Sequence, residues 1–131
     1  MHEISEELKA HFLRLYSMAF TDDNFHQLEL KMLYRFAEER GIPKETLDTL
    51  LLNPSSVEKS IPNDLIEKIT YLYQLCEMIW ADGKVDENER NNLKKYIRLF
   101  EFEEENIEEL AEYLLNAVNK NIKLEEVLKQ L

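Results

Sequence analysis

With 131 residues and a formal charge of −11, the chain is about the size of one ordinary domain and is strongly acidic. That charge, with no Lys/Arg stripe to offset it, excludes a surface built to neutralise phosphates, so nucleic acid is not an expected partner. Two glycines and three prolines exclude a sheet with many tight turns. A composition led by Leu, Glu, Lys and Ile predicts an all-α fold, a single compact helical bundle.

Apolar spacing predicts about seven helices. The opening Met1-His2-Glu3-Ile4-Ser5-Glu6-Glu7 is acidic, without the basic start and apolar run of a signal peptide. No window approaches the roughly 20 apolar residues of a membrane span, so a cytoplasmic location without membrane insertion is expected. Leu8, Phe12, Leu15 and Ala19 form the first stripe with a 3.6-residue period. Leu33, Phe36 and Ala37 form the second, which stops at Gly41, a natural C-terminal cap. Pro43 suits the first turn of a short third helix carrying Leu47, Leu50 and Leu51, and Asn53-Pro54-Ser55-Ser56 ends that unit. Pro62 opens the next, with Leu65, Ile69, Leu72, Cys76 and Ile79 along one face. Leu93, Tyr96, Ile97 and Phe100 mark a fifth helix, and Ile107, Leu110, Ala111, Leu114 and Val118 a sixth. Leu124, Val127, Leu128 and Leu131 mark a short terminal helix that covers the core. Cys76 is the chain's single cysteine; it lies on an apolar stripe and reads as a small core residue.

A shift of 60 residues superposes the two halves of this pattern. Leu15 meets Leu75, Met18 meets Met78, Asp22 meets Asp82, Glu29 meets Glu89 and Leu33 meets Leu93. The polar pairs carry the most weight, because no shared core demands an Asp at the end of one helix and a Glu seven residues on. The expected organisation is one domain over residues 1–131, with repeat halves at about 4–52 and 62–118 and a terminal helix at about 123–131.

Met78-Ile79-Trp80-Ala81-Asp82-Gly83-Lys84-Val85-Asp86-Glu87-Asn88-Glu89 resembles the hallmark of TerB-like, tellurite-resistance-associated domains: a helix ending in Ala-Asp-Gly, an apolar residue two positions on, then a Glu opening the next helix. Met18 to Glu29 resembles a degraded first copy, with Asp23 in place of the glycine and His26 where the second copy has Asp86. The resemblance implies an internally duplicated helical fold, an occurrence in bacterial stress and tellurite-resistance systems, and an acidic cluster that binds a divalent cation. Carried over by position, that cluster is Asp22, Glu29, Asp82 and Glu89, with His26 and Asp86 as auxiliary ligands.

Two readings of these acids stay open at this point. Asp86 with Glu89 has the spacing of a helix capping box, and Asn24 with Gln27 of another. Alternatively, the two corners meet and four carboxylates share one ion: calcium, magnesium or manganese, or zinc if His26 takes part. A self-contained EF-hand loop is excluded, because Met78 and Trp80 stand where its oxygen ligands would be.

The chain offers no catalytic triad and no Gly-rich nucleotide loop. The leading expectation is therefore a non-catalytic binding or adaptor module with a protein partner. The alternatives are a metal-dependent hydrolase using the same acids and a purely structural bundle whose acids cap helices. The acidic stretch Glu101, Glu103, Glu104, Glu105, Glu108, Glu109 and Glu112 is expected to be mainly a solvated face.

Overall fold

Local chemistry sets the helix ends. Ser5 accepts the Leu8 N–H at 3.2 Å and opens α1 (Glu6–Ala19). Asp64 accepts the Ile66 N–H at 3.4 Å and opens α4 (Leu65–Ile79), so this helix starts three residues after Pro62 rather than at it. Between them lie α2 (Gln27–Glu39) and α3 (Lys44–Leu52), and after them a 3-10 turn (Trp80–Asp82), α5 (Glu87–Leu99), α6 (Glu104–Asn119) and α7 (Leu124–Lys129). The computed structural model describes residues 5–19, 27–52 and 61–130. Among these the regular structure is entirely helical, as the composition predicts.

Three helices share one closing device. Ile42 N–H donates to Ala37 O at 2.9 Å and Gly41 N–H to Glu38 O at 3.0 Å, and the same pair of bonds recurs at Phe102 and Glu101 and at Ile122 and Asn121. This closure requires a left-handed residue. Gly41 (φ 73) takes that conformation freely, whereas Glu101 (φ 70) and Asn121 (φ 60) take it against their Cβ.

The elements repeat at the spacing the sequence shows. Adding 60 to the bounds of α2 gives 87 and 99, the bounds of α5, and adding 60 to the start of α3 gives the start of α6. Packing repeats too: α1 against α2 and α3 corresponds to α4 against α5 and α6, and α2 against α3 to α5 against α6. The units meet where α1 packs on α4, burying Phe12, Leu15 and Met18 with Leu72, Leu75 and Met78 at zero exposure. The short α7 rests on α4, and Tyr73 donates its hydroxyl to Ile122 O at 2.7 Å in the preceding link.

At the centre of the α1–α4 contact, the His11 ring stacks on Tyr71, with centroids 4.0 Å apart and planes 9° from parallel. These two positions are equivalent in the repeat, so each unit presents the same site to the other. Glu7 acts on Tyr71, and His11 Nε2–H donates to Gln74 Oε1 at 2.6 Å, so position numbers rise together along both helices. α1 and α4 therefore point the same way, with their C-terminal ends toward one end of the bundle.

His11 is fully buried and its Nδ1 has no hydrogen-bond partner. Burial, reinforced by the charges of Arg40 and Arg14, pushes the imidazole down to about 3 despite the Gln74 bond. The same burial pushes the Tyr71 hydroxyl up to about 12.

The acidic stretch is less free than its composition implies. Glu112 pairs with Arg90, Glu108 with Lys94 at 3.3 Å, and Glu104 with Arg98 at 2.7 Å, forming a ladder of four-residue steps between α5 and α6. In the first unit Tyr34 donates to Asp48 at 2.5 Å, at the positions equivalent to Lys94 and Glu108.

Two stability predictions follow from strain and burial. Glu101→Gly relieves left-handed strain and should raise the unfolding free energy by about 0.5–1 kcal/mol, whereas Gly41→Ala, with open space around the added Cβ, should lower it by about 1 kcal/mol through φ alone. Urea unfolding of both variants checks this. The folded-state pKa of His11 is depressed, so between about 3 and 6.5 the unfolded chain binds the extra proton and stability falls as pH falls. From pH 7 to pH 5 the wild type should lose about 2 kcal/mol more than His11→Gln, and equal losses would contradict the neutral buried imidazole.

Candidate functional site

Helix α4 ends at Trp80, whose indole N–H donates to Leu115 O of α6 at 2.9 Å and fixes the ring against the core. The 3-10 turn then reverses the chain, closed by Gly83 N–H donating to Trp80 O at 2.9 Å. Gly83 sits at φ 85, which is why the turn needs glycine there. The backbone straightens to Asp86 (φ −98, ψ 168), which caps α5.

That cap is a full capping box. Asp86 Oδ1 accepts the Glu89 N–H at 2.8 Å, and Glu89 Oε1 accepts the Asp86 N–H at 3.2 Å. Glu89 is only 3% exposed, so the helix start buries a carboxylate that the box helps to satisfy. Two of the six predicted site residues are thus brought together. Asp22 and His26 lie outside the described residues. Glu29 falls in the first turn of α2 and Asp82 closes the 3-10 turn, and their side chains also lie outside what is described. Among the described residues no three His, Cys, Asp or Glu side chains group as metal ligands, and the described set contains only part of the predicted cluster.

The environment of the second corner is nevertheless defined. α2, which begins one residue after His26, packs against the 3-10 turn that carries Asp82. Met32 of α2 lines a cleft together with Trp80, and further along α2 the charges of Arg35 and Glu39 act on Glu77 of α4. Burial, the larger effect, raises the Glu77 carboxyl above the ordinary carboxylate range.

Sequence reasoning passed over Glu77. The only signal for it was an acidic residue between Cys76 and Met78 in the mostly apolar second half of α4. Cys76 beside it is fully buried, and burial pushes its thiol far up, which closes thiolate chemistry at that position.

Residues 68–131 match the family model described as tellurite resistance protein TerB. Over that segment the chain is TerB-like. The match begins at Lys68 within α4, runs through α7, and includes the Ala81-Asp82-Gly83 corner and the Asp86/Glu89 box. No curated protein and no solved structure matches the chain. Among the described residues of this TerB-like protein, no helix is long and apolar enough to cross a membrane.

The box gives a prediction about its two acids. Asp86→Ala should cost about 1 kcal/mol of stability, whereas Glu89→Gln, which retains an acceptor at the third helical position, should cost less. Chemical denaturation of both variants decides this, and equal losses would contradict the assigned roles.

Proposed function

We propose that this TerB-like protein is a non-catalytic binding module in which a divalent cation joins the two corners, held by Asp22, Glu29, Asp82 and Glu89. One observation carries the reading: the helix that starts directly after the first acidic corner packs on the turn that forms the second. The parallel course of α1 and α4 supports it, because both helices end toward one end of the bundle. Carboxylates crowded at that end would repel, and a cation would relieve the repulsion.

The donor set fits a hard ion. Four carboxylates suit calcium, magnesium or manganese, and His26 would shift the preference toward zinc. Bound there, the ion would stabilise the native state and fix the corner surface for a protein partner in a stress or tellurite-resistance setting. The capping box favours a second reading, in which the acids serve helix starts alone.

A thermal melt of chelated protein against calcium, magnesium, manganese and zinc separates the two. At an ion concentration about 100-fold above Kd the site would add about 2.7 kcal/mol, a rise of roughly 10 °C. Asp82→Asn and Glu89→Gln should each abolish the rise, the latter without removing the box acceptor. A melt that no ion shifts would contradict the cation reading and leave capping as the role of the acids.

A further inference from the structure

At the end of α4, a cleft of about 350 Å³ is lined by Met32, Glu77, Trp80, Val118, Asn119 and Asn121. Its walls come from three parts of the chain: the middle of α2, the last turns of α4 and the C-terminal end of α6. Its described lining carries no cationic side chain, although Arg35 and Glu39 of α2 both act on Glu77. Glu77 brings a carboxylate, Asn119 and Asn121 bring amide oxygens, and two helix C-termini bring the negative ends of their dipoles. Among the described residues no cationic side chain lies in ion-pair contact with Glu77. The rest of the described lining comes from Met32, Trp80, Ala81, Gly83 and Val118.

We infer that this cleft binds an organic cation, an alkylammonium or guanidinium group carried on an apolar stem. The charged head would sit among Glu77, Asn119 and Asn121, whose oxygens match the donors of such a group. The stem would lie along Met32 and Val118, with the Trp80 ring face available to the charge. A hard metal ion fits less well, because it takes six or more oxygen ligands and the described side chains of the cleft supply one carboxylate and two amides. Held by its bond to Leu115, the indole is a rigid wall that loses little freedom on binding. The cleft adjoins the turn that carries Asp82, so calcium is included in the test below to separate this inference from the cation proposed at the corners.

Trp80 is the chain's single tryptophan, so its fluorescence reports on this cleft directly. The full chain is titrated with n-butylammonium chloride, n-butanol and calcium chloride at constant ionic strength. The expected result is a saturable change with butylammonium, none with butanol at equal concentration, and binding weakened at least tenfold in Glu77→Gln. Asn119→Asp, which adds charge at an exposed helix end, should tighten binding severalfold and keeps the test decisive if Glu77→Gln does not fold. The inference is overturned if butylammonium produces no saturable change, if butanol matches it, or if calcium produces the same change at lower concentration. Unaltered affinity in whichever of the two variants folds would overturn it equally.

Discussion

Burying two helices against each other at their midpoints, with a polar residue at the crossing, is the constraint from which the rest of this molecule follows. His11 and Tyr71 occupy equivalent places in the two units and stack face to face at the centre of the α1–α4 contact. A charged imidazole there would stand beside Arg14 and Arg40 in a site without water access, so the fold holds it neutral. The contacts on either side of the stack, from Glu7 to Tyr71 and from His11 to Gln74, rise together along both helices and set them running the same way. That direction decides where the corners after α1 and α4 are delivered.

Much of the helical framework was legible because it depends on one physical signal, apolar side chains returning every three to four residues. Gly41 was legible as a cap because glycine is the residue that takes a left-handed closure without strain. The same closure at Glu101 was not, since a glutamate carries no such mark. His11 sits in register with Leu8, Phe12 and Leu15, so its burial was written in its position while its polar type pointed elsewhere. The α5–α6 ladder shows the same divide. Arg90, Lys94 and Arg98 step by four, as do Glu104, Glu108 and Glu112, but only an antiparallel pairing of the helices turns two periodic faces into paired charges.

The candidate site divides along a similar line. Asp86 and Glu89 were readable as a capping box because that device is local, three residues long, and set by backbone geometry. Whether carboxylates 60 residues apart share an ion depends on tertiary approach, which spacing does not contain. The cleft at Trp80 lay further still from view, because its lining residues run from Met32 to Asn121. The likeness to the TerB family lies in the second half, and the 60-residue register repeats the same helix order in the first.

The central proposal is that the acidic corners following the parallel α1 and α4 share one cation, which requires them to lie side by side. Paramagnetic broadening measures this directly, with a nitroxide on Lys84→Cys; Cys76 is fully buried and would not compete for the label. α4 alone is about 22 Å long, so corners at opposite ends of the bundle would be separated by at least that distance. The account predicts strong broadening of the amide signals of residues 22–29 as well as those near the label. Broadening confined to the label's own neighbours, with signals from 22–29 left sharp, would contradict it.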